Sequence, residues 1–211
     1  MHPFLERLHI PLSVQQYFYP FFQSDADGNL VFQYGDGIEH FGFAFHRVPV
    51  SENFWMAGNA ALSQVSMVII SGSALDCLAW LKKNWHTLPQ TDNLLFLSLG
   101  TSLQNSHVEW LRYRLTNKKV VLLFGRDVLG RITDLKLAAG IRGVRLEIYH
   151  KGDEDIVVNF RSRRFLFSRD DLSLSAFDKV SGFRFNLPCQ KPLRHNTFFD
   201  ELLDQAGLLT K

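Results

Sequence analysis

Three short stretches hold residue types that can meet an anion: Ser71-Gly72-Ser73, Ser98-Leu99-Gly100-Thr101 and Gly125-Arg126-Asp127. Each closes an apolar run. Small residues there let a ligand approach the backbone, and a helix that follows presents free N–H groups. Glycine at such a turn also simply relieves steric strain. Asp76 comes early in the next helical segment, where it either faces a site or favours the helix dipole. His40 and His46 have even spacing, so a regular strand would place them on one side. Two histidines without a third ligand read as satisfied groups rather than a metal site. Cys77 has no histidine near it in sequence and reads as a buried, inert thiol. There is no GxxxxGK[ST] and no full GxGxxG, so an ordinary nucleotide site is not signalled.

The elements that must position these residues fall into three regions. Residues 1–62 are aromatic and turn-rich. Phe4 to His9 suggests a short helix, and Ser13 a cap for a second one limited by Pro20. Asp27-Gly28 and Asp36-Gly37 mark hairpin turns around LVFQY and IEHFGFAFHRV, an antiparallel meander. Tyr17, Phe18, Tyr19, Phe21 and Phe22 offer a stacking platform for bases or, more economically, an aromatic staple between subdomains.

Residues 63–150 change rhythm. VSMVII, LLFLSL, KKVVLLF and VRLEIY alternate with the helical stretches 74–85, 106–115 and 129–140, the last stopped by Gly140. This predicts an α/β core: a mainly parallel sheet with strands near 67–70, 94–98, 119–124 and 144–149, helices on both faces. Residues 151–211 form a mixed extension. DIVVNF and RRFLFS suggest a hairpin, DDLSLSAFDKV a helix capped by an acid, FRFNL a strand, and TFFDELLDQAGLL a closing amphipathic helix.

The 211 residues, 46% hydrophobic and 21% charged, suit one soluble domain with a small appended subdomain. Two cysteines exclude a disulfide framework and a four-cysteine zinc site. No apolar run reaches the length of a membrane span. MHPFLERLHI lacks the layout of a signal peptide, so a cytoplasmic location and no membrane partner are expected. The net charge of +2 hides an asymmetry: residues 112–145 hold nine basic and two acidic residues. Arg161, Arg163, Arg164 and Arg169 form a second cluster. Such clusters attract polyanions where they share a face, and are otherwise solvated helix faces.

The core resembles the Toprim domain of primases, topoisomerases and related nucleases, and more closely the Toprim-type proteins of primase and mobilisation systems. In that family the first strand ends in Glu-Gly, with an Asp one turn into the next helix. The third strand ends in Asp-x-Asp-x-x-Gly. VIISGSALDCLAW matches the first motif with Gly72 and Asp76, but Ser71 replaces the Glu. LLFGRDVLGRITDLKLA matches the second with Asp127, Gly130 and Arg131, but Gly125 replaces the first Asp. LHIPLSVQQYFYPFF and the strands after it resemble the small domain that precedes Toprim in mobile-element proteins.

The resemblance implies a carboxylate trio holding Mg²⁺. Mg²⁺ takes hard oxygens in octahedral geometry. Ser71 and Gly125 leave that set two carboxylates short, so Asp127 is expected to bind metal weakly and to pair with Arg126. No cofactor is expected beyond low-affinity Mg²⁺. The expectation is a catalytically degenerate Toprim-like protein with a nucleic-acid-associated role, binding polyanions through Arg126, Arg131, Arg161, Arg163 and Arg164. Lys118 and Lys119, at the other end of their strand, should contribute less. The alternatives are an active Mg²⁺-dependent primase- or nuclease-like enzyme with rearranged ligands, and a protein-interaction module with a structural Toprim core and a protein partner.

Overall fold

The computed structural model describes residues 2–115, 117–152 and 155–209. Its elements, in chain order, are α1 (Pro3–Arg7), α2 (Leu12–Phe18), β1 (Gln23–Ser24), β2 (Leu30–Gln33), β3 (Ile38–Phe41), β4 (His46–Arg47) and β5 (Val50–Gly58). The core follows with β6 (Met67–Ser71), α3 (Ala74–Asn84), β7 (Leu94–Gly100), α4 (Asn105–Arg114), β8 (Lys119–Leu122) and α5 (Val128–Ile141). The chain ends with β9 (Leu146–Lys151), β10 (Asp155–Phe160), β11 (Arg163–Ser168), α6 (Leu174–Ser181) and α7 (Phe198–Gln205).

The continuous apolar runs of β6, β7 and β8 suit strands covered on both faces. They form a parallel core within a mixed four-stranded sheet of order β5-β7-β6-β8. β5, a strand that the sequence pattern does not signal, joins the edge antiparallel to β7. Period-two alternation divides the side chains. Ile69, Phe96, Val121 and Leu123 pack with α3, α7 and the N-terminal aromatics Phe18 and Trp55. Val68, Ile70, Leu97, Leu122 and Phe124 pack on the other side, with Leu111 of α4 and Leu137 of α5. α3 is buried on all sides from Ala74 to Leu81, because it lies between the sheet, the N-terminal region and α7. The expected aromatic staple forms in part: Tyr17 and Phe18 meet Phe96 of the core edge-on at 5.9 and 5.2 Å, whereas Tyr19 is exposed.

The expected fourth parallel strand is a correction. Residues 146–151 form β9, which pairs antiparallel with β10 in a separate sheet of order β11-β10-β9. Its sequence, LEIYHK, alternates apolar and polar, which fits a strand with one wet face, not a buried parallel one. Residues 188–190 take the vacant place beside β8. The Leu122 N–H donates to the Pro188 carbonyl at 2.9 Å, and the Gln190 N–H to the Leu122 carbonyl at 2.8 Å. α5 therefore lies between two sheets, giving Leu137 to one and Leu135, Ala138 and Ala139 to the other.

Local expectations also shift. FRFNL forms no strand. α6 is capped by Ser173, whose Oγ accepts from the Ala176 N–H at 3.0 Å, not by an acid. α2 starts after Pro11 with no side-chain cap. Gly140 lies inside α5; a Cβ there would stand 2.4 Å from Val108 Cγ1, so it serves the close approach of α4. The left-handed residue that ends this segment is Gly143, at φ 63°.

Candidate functional site

The carboxyl ends of β6, β7 and β8 open into a cleft of about 370 Å³. Its walls come from the 72–76 turn, residues 99–103, residues 124–133, His46 of β4 and the start of α7. This is where an open α/β sheet places ligands.

A residue that the sequence pattern does not single out lies buried behind one wall of this cleft, in contact with the lining residues His46 and Ser73. Glu39 of β3 is fully buried, with its carboxylate at the N-terminus of α3. Oε2 accepts the Ala74 N–H at 2.7 Å and lies 2.6 Å from the Tyr34 hydroxyl. Oε1 accepts the Ser73 hydroxyl at 2.6 Å, the His46 Nε2 at 2.9 Å and the Leu75 N–H at 3.4 Å. Tyr34 continues the chain to Ser98, 2.6 Å away. Burial opposes the Glu39 charge, but the donors and the His46 charge outweigh it and hold the carboxyl below its ordinary value. The chain thus fills its own helix N-terminus with a carboxylate, where an anionic ligand would bind.

Each motif residue has an assigned place. Ser71 turns its hydroxyl inward, donating to the Ser73 carbonyl at 2.7 Å, with Cys77 Sγ 3.1 Å away. Burial pushes the Cys77 thiol up, so it is no thiolate nucleophile. Asp76 is buried and reaches α7, its Oδ1 accepting the Phe199 N–H at 2.9 Å. Burial raises its pKa to about 7; the Phe199 N–H works against this, and the Glu39 and Asp200 charges reinforce it. Asp127 caps α5, accepting the Gly130 N–H on Oδ1 at 2.7 Å. Among the described residues it forms no ion pair with Arg126, contrary to expectation. A Cβ at Gly130 would stand 2.3 Å from the Gly125 carbonyl oxygen, so the start of α5 touches the end of the β8 segment only because this residue is glycine. A Cβ at Gly125 would itself meet Asp127 Oδ1 at 3.1 Å.

These donors do not match what Mg²⁺ requires. Asp127 spends one oxygen as a cap, Asp76 is poised between its charged and neutral forms near pH 7, and positions 71 and 125 offer no carboxylate. Among the described residues, no three His, Cys, Asp or Glu side chains converge as metal ligands. His40 and His46 lie on neighbouring strands, not on one, and have separate partners: Asp25 at 2.7 Å and Glu39 at 2.9 Å.

Among the described residues, no lysine or arginine lines the cleft. Arg126 donates to the Leu193 carbonyl. Arg131 donates to the carbonyls of Arg126 at 2.8 Å, Arg169 at 2.9 Å and Asp170. Arg126 ties the loop before α5, and Arg131 the helix itself, to the C-terminal extension, and both keep part of their donor set outward. Lys191 is bound to the Phe124 and Gly125 carbonyls and to the buried Asp134. Lys118 and Lys119 line a groove at the opposite end of β8. Arg161, Arg163 and Arg164 gather at the β10–β11 turn around a groove of about 610 Å³.

The signal for Glu39 was present in IEHF, a lone acid on an aromatic strand. Its register partner Phe32 is fully buried, so Glu39 had to point inward. What an inward acid meets depends on long-range packing. Comparisons with family models, with curated proteins and with solved structures return no match for this chain.

Proposed function

We propose that the chain is a catalytically degenerate Toprim-like protein with a nucleic-acid-associated role, in DNA replication or mobilisation, that binds polyanions without metal-dependent chemistry. The observation that carries the reading is Glu39. Its carboxylate satisfies the α3 N-terminus and would repel a phosphate brought to the first strand end. Ser71, Gly125 and the capping role of Asp127 point the same way. Polyanion contact then falls to the arginines outside the cleft, Arg161, Arg163 and Arg164 with the outward parts of Arg126 and Arg131. No helix in the described residues is long and apolar enough to cross a membrane.

An active metal-dependent enzyme is disfavoured by the same donor set. A protein-interaction module draws on Phe43 and Tyr19, which are 80% and 71% exposed in the N-terminal region. The Arg7 guanidinium covers the Phe43 ring at 5.4 Å, which leaves less apolar surface for a partner.

The test is binding to single- and double-stranded DNA and RNA across a salt series, with Mg²⁺ or with EDTA. Affinity should fall with salt, by a log–log slope of about 0.7–0.9 per phosphate contact. Mg²⁺ should bring neither cleavage nor synthesis. Mg²⁺-dependent turnover abolished by Asp127→Ala would overturn the reading.

A further inference from the structure

We infer that the outer face of the β9–β10–β11 sheet is a platform for single-stranded nucleic acid, with the hairpin end of that sheet holding the phosphates. This rests on the polyanion reading above and adds the place and the form of the ligand.

The sheet has one dry face. Ile156, Val158, Phe160 and Phe167 pack toward α5 and α6. The alternate residues face away. Val157 pairs in register with Tyr149 on one side and Leu166 on the other. Tyr149 is 40% exposed and Leu166 57%, while Val157 between them is covered at 1%, so the accessible apolar surface of this face comes from the two flanking strands, one of them presenting an aromatic ring. The ring is held in place by its hydroxyl, 3.3 Å from Asn159 Oδ1. The next row toward the hairpin is Glu147, Asn159 and Arg164.

Beyond that row the charge is strongly positive. The turn residues Arg161 and Ser162 both adopt left-handed backbone, at φ 49° and 61°. This tight reversal crowds Arg161, Arg163 and Arg164 with Arg145 around one groove, with Glu147 as the one acidic lining residue among the described residues. Glu147 is paired with Arg145 at 2.6 Å. Arg161 lies over Phe183 at 4.8 Å and Phe160 at 5.2 Å, and Arg163 over Phe165 at 5.0 Å. These contacts hold the Arg161 and Arg163 guanidiniums over rings at the hairpin end of the sheet, while Arg164, in register with Asn159, lies on the outer face.

The combination fits a single strand better than a duplex. A duplex hides its base faces, so an exposed tyrosine on an apolar row gains nothing from it. A single strand can lay a base on Tyr149 while its backbone runs into the basic groove, the pairing of stacking surface and charged track typical of single-strand binders. An acidic peptide would satisfy the arginines but leave the ring unused.

The test is fluorescence anisotropy with labelled oligothymidylate, oligouridylate and a duplex of equal length, at low salt and across a salt series. The native protein should prefer a single strand. Tyr149→Ala should weaken single-strand binding about tenfold with an unchanged salt slope, the order of one base–aromatic stack. Tyr149→Phe should retain binding. The triple change Arg161→Ala, Arg163→Ala, Arg164→Ala should flatten the single-strand slope by about 2. A preference for duplex, a Tyr149→Ala protein indistinguishable from native, or displacement by polyglutamate as readily as by oligonucleotide would overturn the platform while leaving the polyanion reading standing. No binding of any nucleic acid at low salt would overturn both.

Discussion

Glu39→Ala should destabilise the fold by about 3–5 kcal/mol, the usual cost of removing one member of a buried charged pair. The side chain is fully buried, and its loss strands the Ser73 hydroxyl and the Ala74 N–H and removes the His46 partner, while the Tyr34 hydroxyl keeps Ser98 and the Leu75 N–H keeps the Ser73 Oγ. Each orphaned buried donor costs about 1–3 kcal/mol on its own, but the losses overlap. The variant also leaves an anion-shaped space at a helix N-terminus. Formate or acetate should therefore raise its unfolding midpoint, by mass action on the folded state, and leave the native protein unaffected. Urea unfolding with and without formate reads both effects. A Glu39→Ala protein as stable as native, or one that no small anion restores, would show that the carboxylate is not filling an anion site.

Asp76→Asn should act in the opposite direction at alkaline pH. The Asp76 pKa rises on folding from an ordinary 3.8 to about 7, chiefly through burial. A carboxyl raised in this way favours the fold while protonated. Its favourable contribution is complete below about pH 4 and is lost as the pH climbs to about 7. Above that, the charged form costs the fold on the order of 4 kcal/mol, at about 1.4 kcal/mol per unit of pKa. Asp134, raised to about 6 by burial despite the Lys191 charge, adds to the same trend. The native protein should therefore be more stable near pH 5 than near pH 8. The asparagine amide keeps an oxygen for the Phe199 N–H, so Asp76→Asn should gain stability at pH 8 and flatten the profile. Thermal unfolding across pH 5–8 checks it. An unchanged profile in the variant would place the buried charge elsewhere.

The sequence was most readable where local pattern and final environment agree. VSMVII, LLFLSL and KKVVLLF are apolar on both faces and became the parallel core. The capping box of α7 lies in Thr197 and Asp200. VRLEIY was read with the same rule although its alternation already marked a one-faced strand. The place beside β8 goes to residues 188–190, where Pro188 and Pro192 interrupt any strand pattern. β5 was missed because SENFW breaks its alternation, and the pairing with β7 carries a register irregularity there.

The site divides in the same way. Ser71, Gly72, Asp76, Gly125 and Asp127 could be placed near the strand ends because a short turn fixes them there, and they line or border the cleft. Glu39 could not, since it arrives from a meander more than thirty residues upstream of the Ala74 and Leu75 N–H groups it accepts from. Arg126 and Arg131 sit beside the strand end as expected, yet much of their donor capacity goes to backbone carbonyls of a segment that sequence proximity does not reveal.

The most direct measurement of the central claim, a strand-end site closed by the chain's own carboxylate and free of metal, is titration of the native protein with Mn²⁺ followed by the electron paramagnetic resonance of the free ion. Asp127 is engaged as a cap, Asp76 is half-neutral near pH 7, and Glu39 is saturated by donors, so the free-ion signal should rise with added Mn²⁺ as it does in buffer. A micromolar site that disappears in Asp127→Ala would contradict the account.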